Sequence, residues 1–324
     1  MAEILVTGAT GLIGSHLVGA LVEAGERPRL LMRENSRRSL FDGLDLPVVI
    51  GDLSDRESLQ RAAEGCDRVY HLAAMVSMGG GGGNAMHNVN VQGTRNMVLA
   101  AREAGVERFV NVSSVAAIGI PVPGELATER QPYNHPPSRP YMETKRDAEL
   151  AAHALSGEMT MISVRPSLVL GAGPFRRGMI ATFIKRAMRS GLPVAPSGGI
   201  NIVDVDDVVR VLIAAMEQGN DDDRFLAVGH NIDTEALMRM ICELVDMPGP
   251  KLRIRGWITD TAGRVLGLAQ RFGIPGPLPA APLSLASARL YYDDRWTRSR
   301  LDLPEPTPIE TTLRRRIDWE NQAP

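Results

Sequence analysis

The sequence is poor in the residues that would mark a metal protein, a disulfide scaffold or a membrane span. Its 324 residues hold two cysteines, Cys66 and Cys242, far apart and without redox or metal spacing. They read as reduced structural thiols of a cytosolic protein. The six histidines show no close ligand spacing, so no metal is expected. A net charge of −2 leaves no basic footprint for nucleic acid. The clusters at 36–38 and 313–316 are short. No unbroken apolar run approaches the ~18 residues that span a bilayer, so integral membrane association is not expected. The chain opens directly on the strand-like "EILVTG" (3–8), without the basic and apolar regions of a signal peptide. A cytoplasmic location is the resulting expectation.

What is present is globular: 44% hydrophobic and 23% charged, ample for a large core and for one to two domains. The first half alternates strand and helix signals. "EILVTG" is followed by the amphipathic "LIGSHLVGALVEAG" (12–25), then by "RLLMR" (29–33) and "LPVVIGDL" (46–53). "SDRESLQRAAEG" opens on Ser54 with Glu57 three residues on, the capping-box pattern of a helix start. "DRVYHLAA" (67–74), the helical "NVNVQGTRNMVLAAREAG" (88–105) and "ERFVNVSS" (107–114) continue the rhythm. A Pro-rich connection (115–140) then leads to the helix "YMETKRDAELAAHAL" and the strand "MTMISVRPSLVL" (159–170). Strands separated by helix-length segments imply parallel βαβ units and an α/β, Rossmann-like doubly wound sheet. Past Gly171 the rhythm weakens, although "INIVDV" and "RFLAVG" read as strands. The expected division is a nucleotide-binding domain over 1–170, with 200–230 also joined to it. A smaller, mostly C-terminal lobe is expected over 171–199 and 231–324.

"VTGATGLIG" puts Gly8, Gly11 and Gly14 directly after the first strand and at the start of the first helix. The tight turn, the close backbone approach to a pyrophosphate and the helix–sheet packing each favour glycine there. The helix N-terminus offers N–H groups and a positive dipole to phosphates. The spacing, preceded by Thr7, resembles the extended branch of the short-chain dehydrogenases/reductases. Further motifs, in order, carry the likeness along nearly the whole chain: "GDL" (51–53), "HLAA" (71–74), "NVQGTRN" (90–96) and the serine pair 113–114. Tyr141-x-x-x-Lys145, "RPSLVLGAG" (165–173) and "INIVDVDDVV" (200–209) complete it.

The resemblance implies a nicotinamide dinucleotide held by Gly8, Thr10, Gly11, Leu12, Ile13 and Gly14. Asp52 and Leu53 would flank the adenine, Leu72, Ala73 and Ala74 would line the dinucleotide path, and Val112 would lie nearby. Pro166, Ser167, Leu168 and Val169 would sit beside the nicotinamide. An acidic residue ending the second strand would favour NAD. Here Arg33 stands at that end, with Arg37 and Arg38 following. Guanidinium groups suit a 2′-phosphate, so NADP(H) is favoured, while Glu34, one residue late, keeps NAD(H) open.

Tyr141 and Lys145 are i and i+4 on one helix face. A free tyrosine has a pKa of about 10, and a nearby ammonium together with the positive nicotinamide would favour its phenolate. Tyr141 would then exchange a proton with a substrate oxygen. In the family pattern Lys145 also bonds the nicotinamide ribose, and Ser114, the better fitting of the two serines, orients the substrate oxygen. Ser113 and Asn90 read as structural, and Asp206 and Asp207 as helix caps at a lobe junction.

Three functions compete. The first is an NADP(H)-dependent carbonyl reductase or alcohol dehydrogenase, similar to the dihydroflavonol reductase and 3β-hydroxysteroid dehydrogenase group, acting on a hydrophobic or ring-containing substrate. The second is an NAD-retaining nucleotide-sugar epimerase or dehydratase. Epimerases of this branch often carry Tyr where Ile118 stands. The third is a non-catalytic cofactor sensor. The partner expected is a small-molecule substrate, and the resemblance implies a homodimer. Met75, Val76, Ser77 and Ser114 are the candidate substrate residues. The apolar, Pro- and Gly-broken segment 257–286 reads as a greasy cover rather than a membrane contact. The five glycines Gly79–Gly83 follow "HLAA" and read as a flexible rim of the substrate entrance, with a helix beginning near Asn84.

Overall fold

A computed structural model describes residues 3–76, 83–122, 124–137, 139–174, 179–258, 261 and 287–322. Buried aliphatic runs form the first strands: β1 (Ile4–Thr7), β2 (Arg29–Met32) and β4 (Arg68–His71), with β3 (Val48–Ile50) between the last two in sequence. Helices α1 (Leu12–Glu23) and α2 (Arg56–Ala63) connect them. A continuous helical run follows, made of α3 (Gly83–Met86), a π-helical stretch His87–Gln92 and α4 (Gly93–Glu103). Strand β5 (Arg108–Val112), helix α5 (Pro140–Leu155) and strand β6 (Thr160–Pro166) complete the regular alternation.

After β6 the chain leaves the main sheet. Strands β7 (Leu168–Leu170), β8 (Val194–Pro196) and β9 (Gly199–Asp204) are interleaved with helix α6 (Met179–Ser190). Helix α7 (Val205–Gln218) leads to β10 (Arg224–Ala227) and β11 (His230–Asp233), followed by α8 (Thr234–Leu244) and β12 (Leu252–Ile254). Two C-terminal helices close the chain, α9 (Arg295–Arg300) and α10 (Ile309–Gln322).

The main sheet is parallel, in the order β10-β6-β5-β4-β1-β2-β3. The strand order reverses between β1 and β4, where a doubly wound sheet opens a crevice at its carboxyl edge. Each face carries an apolar layer. Leu17, Val18 and Leu21 of α1 pack with Val208, Leu212 and Ala215 of α7 on one side. On the other, Leu59 of α2, Met97 and Val98 of α4 and Ala152 of α5 cover Leu5, Val69 and Phe109. Burial on both faces explains why these strands read as continuous apolar runs rather than alternating ones. The smaller sheet, β11-β9-β7, has its own core, in which Ile184, Leu237, Ile241 and Leu313 are buried. "INIVDV" therefore lies in the small sheet, whereas "RFLAVG" supplies the edge strand of the large one.

Two caps differ from the expectation. Helix α2 starts one residue later than the capping box places it. Asp55 is the cap and accepts from the Glu57 and Ser58 amides, while Ser54 turns back to Asp52. At α7 the cap is Asp204, which accepts from the Asp206 amide. Asp206 and Asp207 lie in the first turn and do bind across to other elements. Asp206 meets His16 of α1 at 2.9 Å, and Asp207 accepts from the amide and hydroxyl of Thr307.

Candidate active site

Gly8 and Gly14 owe their identity to close approach. Gly8 has φ +72°, and a Cβ there would stand 2.6 Å from the Ala73 nitrogen, against the end of β4. A Cβ on Gly14 would lie 2.3 Å from the Gly8 carbonyl oxygen. The loop is thus pressed between β1, β4 and α1 at the strand-order reversal. Gly11 occupies the N-cap of α1 with no side-chain cap, leaving the first-turn amides of Leu12, Ile13 and Gly14 to an outside acceptor. This donor set fits a pyrophosphate. The Ala73 amide is held by the Thr7 hydroxyl at 3.3 Å, and the Leu72 amide by the Thr7 carbonyl.

Arg33, Arg37 and Arg38 are exposed beyond β2. Asp52, after β3, accepts twice from Ser54, and those bonds together with the Arg33 charge hold its carboxyl below the usual range. Leu53 is buried and packs closely on Gly93 of α4. Ala74, Met75 and Val76 are exposed at the crevice. Ser77 and Gly79–Gly82 lie outside the described residues; Gly83 opens α3, close to Pro140.

Helix α5 begins with Pro at its first position, where no amide partner is lost. Tyr141 follows immediately, and its phenol is hydrogen-bonded with the Ser114 hydroxyl. Ser114 caps a short 3₁₀ turn by accepting from the Ala116 amide at 3.1 Å. Lys145 is 7% exposed and donates to the Val112 carbonyl at 3.1 Å. Burial pushes its ammonium down to about 8, against the opposing charge of Glu149. Burial also pushes the Tyr141 phenol up, with Ser114 pulling the other way. These are the states of the chain by itself, with the Lys145 ammonium turned to the Val112 carbonyl and no nicotinamide charge beside the phenol. Tyr141 rests protonated and is set to donate.

Asn90 is a bonding residue, as expected. Its carboxamide oxygen accepts from the Met75 amide at 2.7 Å, and its nitrogen donates to the Met75 carbonyl and to Thr144. It sits in the π-helical stretch, a deviation from the plain helix read from 88–105. π-bulges inside α-helices are frequent at functional sites. His71, buried behind the crevice, lies between the hydroxyls of Thr7 at 2.8 Å and Thr94 at 3.1 Å. Burial and the Lys145 charge press its imidazole down to about 3, so it is neutral. At the other wall, β6 ends at Pro166, and the Ser167 hydroxyl donates to Asn201 at 2.6 Å. Asn201 in turn holds Gly229 and Asn231. Sequence reading passed over Asn201, Glu149 and Arg165. Glu149 carried a signal, since it stands one turn after Lys145 on the same face.

Ser114, Tyr141 and Lys145 thus converge at the carboxyl end of β5. A protonated phenol and a serine hydroxyl can together donate to one substrate oxygen. A nicotinamide dinucleotide, for which the cradle is shaped, supplies or accepts hydride when bound. Among the described residues no group of His, Cys, Asp or Glu is arranged to hold a metal ion. No helix among them is long and apolar enough to cross a membrane.

Fold and site define an NAD(P)-dependent oxidoreductase of the extended short-chain dehydrogenase/reductase type. The chain belongs to the NAD dependent epimerase/dehydratase family, whose profile matches residues 4–229. It is 30% identical to a putative dihydroflavonol 4-reductase of Synechocystis sp., over 97% of this chain and 93% of that one. A 3 beta-hydroxysteroid dehydrogenase/Delta 5-->4-isomerase of Mycobacterium tuberculosis is 29% identical, over 94% and 85% of the two chains. The solved structure of gox2253 superposes with a TM-score of 0.88 at 30% identity, covering 99% of this chain and 98% of that one.

Proposed function

We propose that this protein is an NADP(H)-dependent carbonyl reductase or alcohol dehydrogenase acting on a hydrophobic or ring-containing ketone, aldehyde or secondary alcohol. Tyr141 is its acid/base, Ser114 orients the substrate oxygen, and Lys145 supports both the phenol and the nicotinamide ribose. The observation that carries the reading is the exposed trio Arg33, Arg37 and Arg38 beyond β2. Guanidinium groups there suit the 2′-phosphate that distinguishes NADP from NAD. The names of the relatives, a flavonoid-type reductase and a steroid dehydrogenase, support the substrate class. Met75 and Val76, exposed at the crevice, offer apolar contact to such a substrate.

The test is a titration with NADPH and NADH followed by a screen of hydrophobic ketones and aldehydes for nucleotide consumption. NADPH is expected to bind more tightly. Tyr141→Phe is expected to lose about 10²–10⁴-fold in turnover while cofactor binding persists. Interconversion of a nucleotide sugar on retained NAD, with no net redox change, overturns the proposal.

A further inference from the structure

Four titratable side chains, Tyr141, Lys145, Glu149 and His153, recur every four residues along α5 and form one row. The first two face the crevice. Glu149 is 4% exposed and has both carboxylate oxygens engaged by Arg165 of β6, one by Nε at 3.0 Å and the other by the Nη2 group. Arg165, itself 6% exposed, donates its remaining Nη1 to the Glu129 carbonyl at 2.9 Å. Arg224 of β10 stands 3.4 Å from Glu149, and His153 is tied to Asp222 and to Ser163. An apolar pair would hold α5 to β6 as well as this buried ion pair does, because two desolvated charges return little net stability. The charge itself is then the feature that calls for a role.

We propose that Glu149, locked by Arg165, is a positioning residue for Lys145, supplying the buried counter-charge that keeps its ammonium charged and in place behind Tyr141. The proposal rests on the assignment of Tyr141 and Lys145 as the proton-handling pair. Lys145 is shut into a region where its bonded partner, the Val112 carbonyl, carries no charge. The groups that face it are Tyr141 and Glu149 on its own helix and His71 on β4. His71 is neutral, and Tyr141 is protonated at rest. Glu149 is the carboxylate whose charge opposes the burial of Lys145. Burial acts against Glu149 too, but the bonds and charge of Arg165 bring it below its ordinary range, with help from Ser113 and His153. Arg165 also ends one residue before Pro166, so a single ion pair fixes both the helix bearing Lys145 and the strand end flanking the crevice.

The lysines of the chain are Lys145, Lys185 and Lys251, which makes lysine side-chain NMR readable residue by residue. The experiment follows the Lys145 titration in ¹³Cε-lysine protein, and the pH profile of kcat/KM, in Glu149→Gln, Glu149→Asp and Glu149→Gln/Arg165→Met. The single Gln variant strands a buried guanidinium and is expected to melt lower. The double variant removes both charges and is expected to recover the fold. In wild type Lys145 is expected to titrate near about 8. In Glu149→Gln, which removes the carboxylate charge and keeps the guanidinium, it is expected at least about one pH unit lower, a tenfold loss of the charged form on the basic limb. Glu149→Asp, which keeps the charge, is expected to return toward wild type, and the double variant, which loses one charge of each sign, to lie between. A folded Glu149→Gln protein with an unmoved Lys145 titration overturns the proposal. The NMR reading needs no turnover, so a wild type that reduces no carbonyl but shows the Lys145 shift fails the proposed function alone.

Discussion

At the scale of single residues, the site depends on what is missing as much as on what is present. Gly14 faces the Gly8 carbonyl so closely that a methyl group has no place to go without opening the loop. Gly14→Ala is therefore expected to cost about 1–3 kcal/mol, as an overpacked contact does. Calorimetric titration with NADPH and a thermal melt locate that cost in binding, in folding or in both. The glycine pattern was legible because the requirement is local: a turn, a backbone approach and a helix start within seven residues. Tyr141 and Lys145 were legible for the same reason, being one helical turn apart. Glu149 followed the same spacing, but its meaning depends on Arg165, which arrives from a different strand. Asn201 was not legible at all, because its partners come from two distant segments, Ser167 after β6 and Gly229 and Asn231 around the start of β11. Burial, which a sequence does not display, pushes the Tyr141 phenol up in the chain without its dinucleotide, with the Ser114 bond acting against it.

At the scale of elements, the strands and helices followed from periodicity, whereas their ends were decided by side-chain competition. Asp55 captured the α2 cap because the Ser54 hydroxyl was taken by Asp52. Asp204 captured the α7 cap and thereby released Asp206 to reach α1. The result joins two helices on one face of the sheet: His16 bonds Asp206 with one ring nitrogen and the Ala172 carbonyl with the other. The Asp206 bond raises the imidazole pKa above its ordinary 6.5, burial acting against it. The sign follows directly. A raised folded-state pKa means that protons stabilise the fold, so the contribution is complete below pH 6.5 and is lost as pH climbs through the raised value. Melting temperature measured across that window is expected to carry a downward step with rising pH. His16→Gln is expected to flatten it. A step that survives the substitution assigns the effect elsewhere.

At the scale of the whole molecule, the C-terminal helix α10 is fastened to the small sheet, to α7 and to the loop leaving β7 by polar contacts. Thr312 of α10 donates to Asp204 at 2.6 Å, and Arg315 reaches Asp206. Arg316, 2% exposed, donates to the carbonyls of Gly171 and Gly173, pairs with Glu320 and lies over the Trp319 ring. The Glu320 side chain is nearly as buried, so removing the guanidinium leaves its carboxylate with only Lys185, 3.6 Å away. Arg316→Met is expected to destabilise by about 3–5 kcal/mol, the range for breaking one side of a buried pair. Denaturant unfolding measures it, and a loss below about 1 kcal/mol, typical of a surface pair, contradicts the account. The sequence "LRRR" showed only a short basic cluster. That its last arginine is buried depends on α10 meeting the loop that leaves β7, a contact between residues 145 positions apart.

The same arginine sets an order of assembly during synthesis. The glycine loop, β1, β4 and their helices contact one another within the first 73 residues, so the nucleotide cradle can take shape early. The loop leaving β7 receives its anchor from a residue 145 positions later. At ordinary translation speeds that interval is about 7–30 s. For that time a nascent chain carries a shaped glycine loop and a path out of β7 that has not yet met its anchor.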